Sequence, residues 1–372
     1  MSRARAGRVD PPLSPTPDAD REPPALVARV LAGRIWPVLQ SLVGVGILVA
    51  LVARLGAAPF IDGLRAVGGR PVLAALGIGV ATTVLSAWRW CLVARSLRLR
   101  LSLGRAVAEC YRALFLNSVL PAGVLGDVNR AVGHGRRAGD LGRGVRAVVI
   151  ERMAGQGVLV VFAAAVLVVQ PRVLTGIHQR IPASATAVLG PVCVVLAAIA
   201  IAIATAVVVT VRKRAGRTAS AGTHRAARHR LGLWTAVAAL SAAALLGYLT
   251  MFVIAARAAG SQVAVTDLLP VLVLALLAMG LPLSIGGWGP REAVTTAAFA
   301  AVGLSAAQGL TVAVVYGALS FVACLPGAAV LLLGLARPAL RSDAQRPPEA
   351  TRPAEGVATE GGVSTGGGVT TC

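Results

Sequence analysis

Seven long apolar runs decide what this chain can fold into. Residues 35–53, 72–94, 147–169, 185–211, 234–256, 267–283 and 309–336 carry few or no charges. A helix needs about 20 such residues to cross the hydrocarbon core of a bilayer. Backbone in that core must satisfy its own hydrogen bonds, which leaves helices as the natural reading. Composition agrees: 56% of residues are hydrophobic, 14% charged and only 4% aromatic. A soluble chain carries about a quarter charged residues. An ordinary soluble enzyme, a disordered protein and a secreted disulfide scaffold are thereby excluded. The expectation is an all-α polytopic integral membrane protein with about 7–8 transmembrane helices plus re-entrant broken segments.

Residues 1–34 hold six prolines and are expected to form a disordered tail, without the apolar region of a cleavable signal peptide. Residues 35–336 form the membrane domain, and 337–372, rich in Gly, Thr and Pro, a second disordered tail. The net charge of +21 comes almost wholly from Arg, with Lys213 the single lysine. Most of these residues sit between apolar runs, the placement of topology-setting charge beside an anionic inner leaflet. No aromatic-interleaved basic surface points to nucleic acid. Neither the cysteines (91, 110, 193, 324, 372) nor the histidines (134, 178, 224, 229, read as loop residues) have metal-ligand spacing, so no metal or other cofactor is expected.

Two apolar stretches are broken. Residues 106–126 contain Glu109, Arg112, Asn117, Pro121, Gly123 and Gly126, and 284–305 opens on Ser-Ile-Gly-Gly-Trp-Gly-Pro-Arg-Glu. If 106–126 enters and leaves by one face, segments 1–34, 95–105, 127–146 and 212–233 share a side with 22 basic residues, against 6 in 54–71, 170–184 and 257–266. A full crossing nearly erases that asymmetry. The positive-inside rule therefore favours a re-entrant segment and a cytoplasmic N-terminus, in the cytoplasmic membrane.

Charge inside a membrane domain is a functional hypothesis by default. Arg89, between Trp88 and Trp90, is expected to snorkel to the interface. Glu109 and Arg112, three apart, either neutralise each other on one helix face or serve function. Glu151 and Arg152 are adjacent and point in different directions, so each needs a partner elsewhere in the bundle.

The sharpest feature is a near-repeat at an offset of 161 residues. Leu120-Pro121, Gly126 and Arg130 fall over Leu281-Pro282, Gly287 and Arg291. Each copy joins a helix-breaking Pro, small residues and a basic residue just beyond. Paired broken segments in two halves of a membrane chain point to a transporter's substrate site, where freed amides and an Arg suit an anion. A pair of Gly/Pro loops with snorkelling Arg is the plainer alternative.

The stretch Leu116-Asn117-Ser118-Val119-Leu120-Pro121-Ala122-Gly123, then Gly126-Asp127, Arg130-Ala131 and Glu151-Arg152, resembles the transmembrane-region family of lysylphosphatidylglycerol synthases, also called flippase-like. So does the stretch from Leu281 through Ser284, Gly286, Gly287 and Arg291 to Glu292. The resemblance spans roughly 35–336. Family patterns have Pro-Gly and Gly-Gly-Asp in the first motif, where this chain has Ala122 between Pro121 and Gly123, and Leu125 before Gly126. Bifunctional members append a soluble aminoacyl-transferase domain, which this chain is expected to lack, so synthase activity is not transferred to it.

The function expected from these features is binding and translocation of an anionic or polyprenyl-linked membrane lipid. Arg130 and Arg291 would hold the headgroup phosphate, with Asp127 and Glu292 keeping them in place between cycles. Glu109, Arg112, Glu151 and Arg152 would line a polar track. The substrate-site set is Asn117, Pro121, Gly126, Asp127, Arg130, Glu151, Arg152, Ser284, Gly286, Gly287, Arg291 and Glu292. Two other readings are a membrane-embedded lipid-phosphate transferase and a non-transporting accessory subunit with a cell-envelope enzyme as partner. The chain has no metal or nucleophile motif to mark it as an enzyme.

Overall fold

The computed structural model describes residues 42–120, 123–171, 175–176, 223–280 and 286–344, and every regular element among them is α-helical. The described residues open on an apolar pair, α1 (Leu42–Leu55) and α2 (Ala58–Arg65), bent by 104°. Then come α3 (Gly69–Ser96), α4 (Leu103–Val119), α5 (Leu125–Arg137), α6 (Leu141–Val169), α7 (Thr223–Ala258), α8 (Val265–Met279), α9 (Pro290–Ala301) and α10 (Ala306–Ala344).

Among the described residues four stretches are long and apolar enough to cross a membrane: Gly69–Ser96, Leu141–Val169, Leu231–Ala258 and Ala306–Leu333, with a fifth if the bent pair is one span. The 185–211 run lies outside the described residues. The 267–283 run becomes α8, whose 15 residues reach only about 22 Å at ~1.5 Å per residue, short of a hydrocarbon core about 30 Å thick.

The element order has a rhythm. Among the described residues long α3, short α4, short α5 and long α6 come first, and long α7, short α8, short α9 and long α10 come later in the same order of lengths. Each short pair packs together across its break, α4 on α5 and α8 on α9. The first break begins where Leu120 turns extended and continues through Gly123 at φ 58°. In the second, Gly286, Gly287 and Gly289 all have positive φ, backbone that side chains with a Cβ rarely adopt. Pro290 then starts α9, where its missing N–H costs nothing. Pro121 and Ser284 lie outside the described residues.

Two apolar cores hold the helices. One gathers Trp90, Val93, Cys110, Ala131, Ala147 and Val148 from α3 to α6. The other is built around Phe252, Leu268, Leu272, Phe299, Val315 and Leu319 of α7 to α10. Hydrophobic exclusion does little between helices in lipid, so close backbone approach matters more. Gly126 of α5 lies against the backbone of Ala113 on α4, and Gly144 of α6 against Gly135 of α5. A second, small unit runs from Leu331. Its described part is the end of α10, so residues 337–344, read from sequence as tail, are helical. Sequence also read the histidines as loop residues, but His134 lies on α5 and His224 and His229 on α7, while His178 is outside the described residues.

Candidate functional site

The first break exists because Asn117 ties its two sides together. The Asn117 side chain on α4 accepts the amide of Gly126 at 2.7 Å, satisfying one of the free donors at the start of α5. Its Nδ2 donates to Asp127 Oδ2 at 2.9 Å. Asp127 thus sits in the first turn of α5, where the helix dipole favours negative charge.

From Asp127 a ladder of charge runs through the bundle. Asp127 Oδ1 accepts from Arg130 at 3.2 Å, and Asp127 Oδ2 from Arg152 of α6. Arg130 donates to Glu151 Oε2 at 2.7 Å and to Cys110 Sγ at 3.0 Å, with its guanidinium 4.6 Å from the Trp90 ring centre. Glu151 Oε1 accepts from Arg89 of α3, through Nε at 3.0 Å and through Nη2. Arg89 Nη1 ends the ladder on Ser241 Oγ of α7, at 3.0 Å. Glu151 is 2% exposed and Arg130 4%. Burial like this is tolerable only because every charge has an opposite neighbour. Three guanidiniums meet two carboxylates, so the ladder carries one surplus positive charge.

Sequence placed Arg89 at the interface, but it is 8% exposed and points inward, because Glu151 offers it a carboxylate that water would otherwise have to replace. The pair at Glu109 and Arg112 is 3.7 Å apart, and Glu109 also accepts from Arg137 of α5 at 2.9 Å. His134, edge-on to Trp90, lies on the same side of α5 as Arg130. Burial, reinforced by Arg137, pushes its imidazole below the usual histidine range.

The second motif is arranged differently. Arg291 and Glu292 are both fully buried and paired, Arg291 Nε donating to Glu292 Oε1 at 3.0 Å. Glu292 also reaches back to the Gly289 amide at 2.7 Å and caps α9. The Arg291 guanidinium lies 4.7 Å from the Trp288 ring centre and 5.6 Å from that of Tyr316. Gly286 abuts the backbone of Ser118, so the two breaks meet at the end of α4. Gly287 packs on Met279.

Beside the charge ladder lies a cavity of about 320 Å³. All four long helices α3, α6, α7 and α10 contribute to its wall, with Met279 and Gly280 marking the edge of the second break. Arg89 and Arg152 stand at the cavity, and Leu245, Met251, Leu276 and Met279 give it an apolar body. Of the charged site residues named from sequence, Arg152 faces this space; Arg130, Glu151, Arg291 and Glu292 stand behind the wall. Sequence reasoning missed Ser241 and Gln156 as wall residues, since single hydroxyls and amides in apolar helices carry no spacing signal. Among the described residues no three His, Cys, Asp or Glu side chains gather where a metal could bind.

The pattern of the family described as "Lysylphosphatidylglycerol synthase TM region" matches residues 38–327. The chain belongs to this family. No curated protein matches it. As a member of a lipid-related family with apolar helices long enough to span, it is an integral, multi-pass membrane protein. In this member of the lysylphosphatidylglycerol synthase transmembrane-region family, the cavity has a cationic side at Arg89 and Arg152 and an apolar body. Such a space can hold a charged headgroup while its chains remain among apolar side chains or in lipid.

Proposed function

We propose that this protein binds an anionic membrane lipid, on a glycerol or polyprenyl backbone, and carries its headgroup between leaflets of the cytoplasmic membrane. The observation that carries the reading is the cavity with Arg152 and Arg89 on an otherwise largely apolar wall. Arg152 is the more open of the two, its side chain 43% exposed, and its carboxylate partner is Asp127. A lipid phosphate entering the cavity takes the place of the Asp127 carboxylate on Arg152. Guanidinium forks suit phosphate, and a water-poor setting strengthens the bond.

Glu151 plays a different part: it is the fixed counter-charge to Arg89 and Arg130 inside the bundle. Arg130 holds Asp127 within reach of Arg152. Arg291, paired with Glu292, forms a second station that is closed in this conformation, next to Tyr316 of the cavity wall. The repeated order of long, short, short and long helices supports two halves of common design. In that design each short pair is a re-entrant hairpin and the N-terminus is cytoplasmic. Motion of the hairpins would expose the two stations in turn. A cell-envelope enzyme that makes or uses the lipid is a natural partner.

Native mass spectrometry of lipids retained by the purified protein tests this. One anionic or polyprenyl lipid should be enriched over bulk in the wild type and lost in Arg152→Gln. Bulk lipid alone in both samples would remove the headgroup site.

A further inference from the structure

The charge count and the cavity wall narrow the headgroup further, given the lipid-binding reading above. We infer that the cavity selects a lipid phosphodiester with one net negative charge and no amine, and discriminates against headgroups that carry an ammonium group.

The first ground is charge balance. Among the described residues Arg89, Arg130 and Arg152 pair with the carboxylates of Glu151 and Asp127, leaving one positive charge over. One phosphodiester cancels it. A zwitterionic headgroup leaves the surplus in place, and a headgroup with a phosphate and two ammonium groups adds to it. Uncompensated charge within the membrane is expensive, so net charge is read strongly here.

The second ground is that, among the described residues, no free carboxylate offers itself to an ammonium group. No carboxylate among the described residues lines the cavity, and the ionised wall residues are both Arg. Both oxygens of Glu151 are taken, by Arg89 and Arg130. Both oxygens of Asp127 are taken too, by Arg130 on one side and by Arg152 with Asn117 on the other. In the neutral polar wall the Ser241 oxygen already accepts from Arg89. An aromatic cage is not available either. Tyr316 is stacked on Phe252 at 4.3 Å and has the Arg291 guanidinium beside it, which leaves Tyr248 as a single ring. A phosphate bound at Arg152 would place any attached amine next to guanidinium groups and the Gln156 amide, one helical turn along α6.

The test is a competition read by native mass spectrometry on the full chain. Phosphatidylglycerol, phosphatidylethanolamine, lysyl-phosphatidylglycerol and diacylglycerol with matched acyl chains are offered in equal amounts. Phosphatidylglycerol should be retained about tenfold or more over both amine lipids, the scale of one poorly compensated charge. Gln156→Glu, which puts a carboxylate in the wall, should shift retention toward lysyl-phosphatidylglycerol, a gain that a damaged fold cannot produce. Equal retention of all three phospholipids over diacylglycerol would overturn this selectivity and leave the lipid site standing. No enrichment of any phospholipid over diacylglycerol would take down the lipid site itself. A folded Gln156→Glu protein with unchanged preference would overturn the placement of the headgroup beside α6.

Discussion

Arg130 of α5 donates to Glu151 of α6 at 2.7 Å, and the other oxygen of the same carboxylate serves Arg89 of α3. One acidic side chain therefore neutralises two buried guanidiniums and joins three helices. Glu151→Gln leaves Arg89 and Arg130 facing each other across a neutral amide. Breaking a buried ion pair from one side typically costs about 3–5 kcal/mol. The expected outcome is a large drop in melting temperature in detergent, far beyond that of Glu109→Gln, whose partners Arg112 and Arg137 are 27% and 44% exposed. Equal shifts for the two variants would contradict the central role of Glu151.

Asn117 should matter through the first break rather than through charge. Asn117→Ala removes the acceptor of the Gly126 amide and a donor to Asp127. Loss of a helix-start partner costs about 1–2 kcal/mol. The same change should speed amide exchange at the start of α5, readable by hydrogen–deuterium exchange, with the centre of α3 unaffected. Protection at Gly126 and Asp127 unchanged from wild type would count against the clamp.

How much of this was visible in the sequence depends on the kind of interaction. Apolar runs revealed α3, α6, α7 and α10 because a spanning helix must be apolar along its whole length, a signal spread over about 20 residues. The two broken motifs were visible through Pro and Gly, whose backbone demands are local, and Gly286, Gly287 and Gly289 do adopt positive φ. The adjacent pair Glu151 and Arg152 was seen to need partners, but not which ones. Arg89 is 62 residues from Glu151, and Ser241 is 152 from Arg89. Spacings of that size leave no periodic trace, so Arg89 was read as an interface residue and Ser241 was not read at all. The cavity was invisible for the same reason, being made by four helices far apart in the chain.

Gly317 of α10 lies directly against the Arg291 guanidinium and the Trp288 ring. A methyl group there has no room while Arg291 stays enclosed beside Glu292. Gly317→Ala should destabilise the protein by roughly 1–3 kcal/mol, the usual cost of overpacking. Combining it with Arg291→Met should cost less than the sum of the two single changes, because the second removes the group in the way. Strict additivity in melting experiments would argue that the two sites do not touch.

The depressed imidazole of His134 gives a pH signature. The unfolded chain binds its proton near pH 6.5, while the folded protein resists it because of burial and Arg137. The unfolded state therefore holds more protons, so stability contributed by this group is present at neutral pH and declines as pH falls below about 6.5 toward the lowered folded value. His134→Phe should flatten the slope of melting temperature against pH between about 7.5 and 5.5. An identical slope in both proteins would mean that His134 is not the group responsible.

Asp127 and a lipid phosphate compete for Arg152 in the proposed cycle, and that competition predicts opposite effects from the two partners. Arg152→Gln removes the cationic contact, so retention of an anionic lipid and transport should both fall. Asp127→Asn removes the competitor while leaving Asn117 on Gly126 and Glu151 on Arg130. The freed Arg152 then has no anion until a lipid arrives, and retention should rise several-fold. Transport should nevertheless slow, because the headgroup now has nothing to displace it from Arg152 at the end of a cycle. Tight binding without turnover in reconstituted vesicles is the expected result. Weaker lipid retention by a folded Asp127→Asn protein would show that the carboxylate helps to build the site rather than to empty it.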